Sequence, residues 1–271
     1  HINTDNWHPF MPYGWFSTLD NGKNIGVLAG ASLVFFAYFG FDAVSTAAEE
    51  AKNPQRDLPI GLIASLAFCT IIYIIVSGLL TGIVPYTELN VSSPVAFALT
   101  KIGHTWSSTL VATGVLAGLI TVLLVLLYGL TRILFAMSRD GLISPLFSKI
   151  NPDRKTPTRI ILMCGFIVSL VAGFIPLGEL AETVNIGTLA SFVMVCVGVI
   201  VLRIRQPELH RPFKNPWNPL IPMLGIISCG ALMTFLPAST WHRFGLWVIA
   251  GIVFYFVYSI NHSKLNLLHK K

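Results

Sequence analysis

Seven predominantly apolar stretches, each about as long as a bilayer is thick, constrain this chain more than any other feature. They run Ile25 to Ala48, Ile60 to Val84, Leu110 to Met137, Thr158 to Ile175, Thr183 to Leu202, Leu220 to Leu236 and Phe244 to Ile260. A hydrocarbon core of about 30 Å is crossed by roughly 17 to 25 apolar residues in a helix. Only helices or closed barrels satisfy their backbone groups there, and runs this long are too long for barrel strands. Composition agrees: 54% of the 271 residues are hydrophobic, 11% are charged, and the mean hydropathy is +0.71. Soluble domains carry roughly 25% charged residues. The expectation is an all-α integral membrane protein with seven transmembrane helices. Residues 1–24 form an outer loop, 25–260 the transmembrane domain and 261–271 a cytoplasmic tail.

The net charge of +6 carries information through its placement. With the first span running outside to inside, fourteen Lys and Arg fall on the inner side and only Lys23, Lys101 and Arg243 on the outer. The excess of basic residues on the cytoplasmic side orients the chain with its N-terminus outside. The basic residues lie between apolar runs, without the stripe or zinc-finger spacing of a nucleic-acid binder. Cys69, Cys164, Cys196 and Cys229 stand singly within apolar segments. That spacing supports neither a disulfide framework nor a metal site, and no cofactor is expected. The chain starts at His1, without a signal-peptide pattern, and reads as a piece of something longer.

Turn chemistry punctuates the connections. Pro54 ends the first helix, and Asp57 with Pro59 suits the start of the next. The stretch from Pro85 to Ser108 is long for a loop and has room for a short surface helix after Pro94.

The first span contains the chain's most informative segment, "SLVFFAYFGFDAVSTAAEE", Ser32 to Glu50. Gly40 sits near mid-membrane, where it resists departure from helical geometry least. Asp42 follows about 3 Å further inward. A carboxylate at this depth costs about 2.5 to 3.5 kcal/mol on insertion scales and must face protein or water. Aromatics, a glycine and one acid together are what a discontinuous helix needs, because unwound backbone is tolerated in the membrane where it lines a cavity. Phe36 and Phe39 would wall that cavity, and Asp42 would bond freed N–H groups or a helix end. The same residues also fit a continuous helix whose Asp42 pairs with a neighbour.

Elsewhere, Thr113, Gly114, Ala117, Gly118 and Thr121 form a small-residue face suited to close helix packing. Thr121, Tyr128 and Arg132 recur at helical spacing and could line a path, and Arg132 equally suits the inner interface. Glu182, Asn185, Thr188 and Ser191 make a polar stripe expected to face the bundle or a water-filled path. Glu179 and Glu182 near its outer end read as hydrated interfacial acids or as attractors of a cationic solute. Ser138 to Gly141, "SRDG", reads as a helix C-terminus with Gly to leave the helix. No nucleophile–base pair, ligand cluster or matched pair of carboxylates indicates an enzyme, and no filter sequence or charge ring indicates a channel.

"FFAYFGFDAVSTAAEEAKNPQRDLPIG" closely resembles the sixth transmembrane helix and following loop of bacterial members of the cationic amino acid transporter family, within the amino acid-polyamine-organocation superfamily. "GLTRILFAMSRDGLISPLFSKI" is similar to the end of that family's eighth helix and its inner loop. The resemblance covers essentially the whole chain. It implies five-helix inverted repeats whose broken first and sixth helices hold an amino acid near the midplane, with transport coupled to protons. By position it implies Phe36 as an aromatic gate, the Phe39 and Gly40 backbone as receiver of the substrate amino group, and Asp42 as organiser of the unwound segment. Helix one and a helix-five lysine proposed for proton coupling would lie upstream of His1. The expected function is therefore an amino acid permease seen as its C-terminal portion, in the cell membrane with upstream helices as partners. A non-transporting fragment or partner subunit is the alternative.

Overall fold

The computed structural model describes residues 2–19, 24–149, 156–211 and 217–264, and of 47–50 the backbone alone. Lys23, Arg154, Lys155, Lys214, Lys270 and Lys271, the Glu49 and Glu50 side chains and most of the expected tail lie outside the described residues. The molecule is helical almost throughout. Its main helices are α1 (Val27–Val34), α2 (Pro54–Ile83), α3 (Pro94–Lys101), α4 (Thr105–Arg139), α5 (Thr158–Phe174), α6 (Leu177–Arg205), α7 (Leu220–Thr234) and α8 (Ala238–Phe254). After α8 comes a π-helical turn, Tyr255–Ser259, and then α9 (Ile260–His262).

Among the described residues, five helical stretches are long and apolar enough to cross a membrane: Val27–Thr46, Pro54–Ile83, Thr105–Arg139, Leu177–Arg205 and Ala238–His262. The remaining two expected spans correspond to α5 and α7, apolar helices of 17 and 15 residues. At 1.5 Å per residue these are about 25 and 22 Å long, short of a 30 Å core. The most apolar stretches of α2 and α4 contain no buried residue. Helices apolar all round and so exposed are suited to lipid rather than water. The tightest core lies between α6 and the end of α7, where Ile186, Leu189, Met233 and Leu236 are buried with Phe35 and Phe244 packed against them.

Helix boundaries refine the sequence reading. Pro54, expected to end the first helix, is itself the first residue of α2, and Pro59 lies inside that helix. Proline is suited to the first helical position because the N–H it lacks has no intrahelical partner there. The Asn53 carbonyl closes the first turn, accepting from Arg56 N at 3.1 Å and Asp57 N at 2.9 Å. The short helix after Pro94 is α3, and Ser108 pins it to α4 by donating to the Ala96 carbonyl at 3.0 Å.

The N-terminal segment is more ordered than a loop. Strands β1 (Ser17–Thr18) and β2 (Asn24–Ile25) pair antiparallel, and a 3₁₀ turn at Thr4–Trp7 caps the end of α2. Asn3 N and Asn6 Nδ2 donate to the Gly82 carbonyl at 2.9 and 3.0 Å, and Trp7 Nε1 donates to Thr81 Oγ1 at 3.2 Å. These bonds satisfy a carbonyl and a side chain in the last turn of α2, where intrahelical partners run out.

Candidate functional site

The first span is broken at the place its composition indicates. Helix α1 ends at Val34, tightens into a 3₁₀ turn over Phe35–Tyr38, and stops at Phe39, whose backbone is extended at φ −60°, ψ 133°. Gly40 follows with φ +111°, a conformation open to Gly and strained for other residues. A second 3₁₀ segment, Phe41–Glu50, continues the span. Runs of 3₁₀ helix beyond three or four residues are uncommon and mark hinges or strain.

Breaking a helix leaves carbonyls of its last turn without intrahelical partners. Here neighbouring helices supply donors. Asn185 of α6 gives its side-chain amide to the Ser32 and Leu33 carbonyls at 3.1 and 3.3 Å. The Tyr73 hydroxyl of α2 donates to the Ala37 carbonyl at 2.9 Å, and its ring meets Tyr38 edge-on at 5.2 Å. Phe192 of α6 touches both sides of the break, lying 6.1 Å from Phe35 and 5.5 Å from Phe41 between ring centroids. Sequence reasoning missed Tyr73 and Phe192. The signal available for Tyr73 was a phenol within an otherwise apolar span, since a buried or lipid-facing Tyr hydroxyl usually finds a partner.

The four residues singled out on the first span lie together. The Phe36 and Phe39 rings stack almost parallel, 6.4 Å apart, and both are more than a third exposed. Leu126 of α4 approaches Gly40. Asp42 is half-buried in the first turn of the inner segment, where a carboxylate complements the positive end of the helix dipole. Its carboxylate receives no hydrogen bond or ion pair among the described residues. The carbonyls around the break that side chains hold are those of Ser32 and Leu33, by Asn185, and of Ala37, by Tyr73.

The possible path residues fare differently. Asn185 is 1% exposed and committed to α1. Thr188, three residues on, is half-buried. Thr121 is exposed on α4 and bonds the Ala117 carbonyl of its own helix at 3.0 Å. The small-residue face beside it is open, with nothing within 4 Å of the Cβ positions of Gly114 and Gly118. Arg132 lies over the Tyr128 ring at 5.2 Å. At the N-terminal end of α6, Arg243 of α8 binds Glu179 at 2.8 Å and lies 4.0 Å from Glu182, and Thr240 donates to Glu182 at 2.9 Å. The two acids are therefore tied to α8. A cavity of about 680 Å³ opens beside them, lined by Ala29, Leu33, Glu182, Phe235 and Trp241 among others. Among the described residues no group of three or more His, Cys, Asp or Glu is placed to hold a metal ion.

The arrangement offers unwound backbone, an aromatic pair and one carboxylate near the middle of a membrane span. Comparison with known proteins gives the family. A family model described as amino acid permease matches residues 1–261. The chain is 47% identical over 267 residues to the branched-chain amino acid permease BcaP of Bacillus subtilis (strain 168), and 46% identical over 266 residues to the methylthioribose transporter of the same organism. Each alignment covers 98% of this chain and 56% of the relative. It is also 40% identical over 198 residues to the vacuolar cationic amino acid transporter 4 of Arabidopsis thaliana, covering 73% of this chain and 32% of that protein. The chain thus spans about half the length of the bacterial relatives it matches. A match over nearly all of the chain, on a helical membrane protein whose first span is broken, shows that it belongs to the amino acid permease family, a family of transporters and not enzymes.

Proposed function

We propose that this chain forms part of the substrate path of a secondary transporter that moves an amino acid by alternating access, coupled to protons. The observation that carries the reading is the backbone break at Phe39–Gly40, mid-span and beside an aromatic pair. Discontinuous membrane helices bind small polar substrates through groups that a continuous helix would use internally. In this reading the Phe39 and Gly40 backbone receives the amino group, Phe36 closes over the substrate, and Asp42 organises the inner segment. Thr121 and Thr188 line the route, with Asn185 at its edge.

Upstream helices of the same transporter complete the site, which accords with the chain's span of 56% of its bacterial relatives. Counting α5 and α7, the chain crosses the membrane seven times within a five-helix inverted-repeat fold. Residues 1–24 lie outside the cell, 25–260 in the cell membrane, and 261–271 in the cytoplasm. The excess of basic residues on the expected inner side supports that orientation.

The test is uptake into proteoliposomes under an imposed proton gradient, comparing this chain alone with the chain preceded by its natural upstream segment. The panel holds branched-chain and cationic amino acids and methylthioribose, the compounds named for the relatives. Gradient-driven amino acid uptake by the longer protein alone is expected. No uptake by the longer protein refutes the reading, and uptake of methylthioribose only replaces its substrate. Uptake by the chain alone removes the need for upstream helices.

A further inference from the structure

The polar stripe on α6 has become a set of ties between helices. Glu182 is bonded to Thr240 and lies near Arg243, both on α8. Three residues on, Asn185 donates to two carbonyls at the end of α1, more than 150 positions away in sequence. Ser191 turns back to the Gly187 carbonyl of its own helix at 2.9 Å.

Asn185 is the least dispensable of these. It is 1% exposed, and so is Ser32, one of the residues whose carbonyl it holds. Its orientation is set by its partners, because only the amide nitrogen can face two carbonyl oxygens. The other end, Oδ1, is buried with no partner among the described residues. A side chain that leaves its acceptor unpaired in a dry interior is costly there, and what it supplies in return is the pair of N–H donors. Those donors meet the last turn of α1 two to three residues before Phe35, where the helix tightens, and four before Phe36 and its neighbour. Phe35 N already donates to the Ala31 and Leu33 carbonyls, so the Asn185 amide adds a second donor at Leu33 and a side-chain donor at Ser32. Without that tie to α6 the end of α1 is no longer held, and the α-helix is free to extend toward the break.

We propose that Asn185 is a positioning residue for the substrate site: it fixes where α1 stops being α-helical and hence the depth at which Phe36, Phe39 and Gly40 meet the amino acid. Glu182 and Glu179 tie the same end of α6 to α8, so α1, the N-terminal end of α6 and the start of α8 are joined by side-chain bonds. The inference rests on the transport reading above.

The experiment uses the full transporter. Asn185→Leu matches the side chain in size and removes the donors, whereas Asn185→Gln keeps an amide. Two quantities are read: KM and maximal rate per molecule in proteoliposomes, and the rate at which a membrane-impermeant thiol reagent labels Leu33→Cys from outside in a cysteine-free background. The expected result is a KM at least about fivefold higher in Asn185→Leu, the equivalent of one neutral hydrogen bond of roughly 1 kcal/mol. The maximal rate stays within about twofold, labelling at position 33 changes by about threefold or more, and Asn185→Gln holds KM closer to wild type than Asn185→Leu does. Unchanged KM and labelling in an abundant Asn185→Leu protein overturn the proposal. If that variant fails to reach the membrane, Asn185→Ser, too short to reach both carbonyls, is read by the same values. Absence of uptake by the wild type sinks the transport reading instead, and labelling still decides whether Asn185 holds α1.

Discussion

Gly141→Ala tests the turn that ends α4. Helix α4 ends in a Schellman motif: Leu142 N donates to the Met137 carbonyl at 2.9 Å and Gly141 N to the Ser138 carbonyl at 3.1 Å, with Gly141 at φ +80°. The end of the last helical stretch among the described residues is docked on this turn. Ser259 Oγ donates to the Leu142 carbonyl at 2.7 Å, Lys264 N donates to the Asp140 carbonyl at 3.1 Å, and a methyl group at position 141 would run into the His262 carbonyl oxygen. Alanine would carry two costs. The left-handed backbone costs roughly 1–2 kcal/mol. Displacing the docked segment forfeits two hydrogen bonds at about 1 kcal/mol each. The total is about 3–4 kcal/mol. Gly103 supplies the control, since its φ is +85° and nothing lies within 4 Å of its Cβ position. Gly103→Ala should lose only the backbone part, roughly 1–2 kcal/mol. Unfolding in mixed micelles measures both variants, and tryptic cleavage after Lys264 reports release of the docked segment. Equal losses for the two variants, with cleavage at Lys264 unchanged, would refute the reasoning.

Three further outcomes are expected of the complete transporter. Asp42→Asn should reduce uptake while leaving membrane insertion intact, and uptake at the wild-type rate would remove Asp42 from the site. Phe36→Ala should weaken amino acid binding, measured by ligand-induced thermal stabilisation; unchanged binding across a panel of amino acids would make Phe36 structural. Tyr73→Phe removes one hydrogen bond to the Ala37 carbonyl and should cost about 1 kcal/mol in micellar unfolding, and no loss would show that bond to be replaceable by water.

The place where the first span departs from a helix was partly legible before any coordinates, for a physical reason. A glycine and a carboxylate within an apolar, membrane-length run have few acceptable environments, so "FAYFGFD" left two readings, a broken helix or a continuous one with a paired Asp42, and the Phe39 and Gly40 dihedrals display the break. The "SRDG" turn was readable too, because Gly following a helix with a basic last turn is a local signal. The polar period of Glu182, Asn185 and Thr188 was visible, but its meaning was not. Periodicity says which residues share a face and leaves open what that face meets. Of the two expected surroundings, the bundle or a water-filled path, Glu182 and Asn185 meet the bundle, as a pair of interhelical ties.

The sequence by itself determined that the chain is helical and membrane-embedded, where its first span yields, and which family it resembles. The first two follow from local composition, since lipid demands internally paired backbone from each span separately, whereas the family rests on resemblance of whole motifs. Tertiary structure decided how the broken span is held. Tyr73 lies 36 residues from Ala37, and Asn185 lies 153 from Ser32. Whether a donor reaches a freed carbonyl across such separations depends on how whole helices pack against one another, and no window of neighbouring residues contains that information.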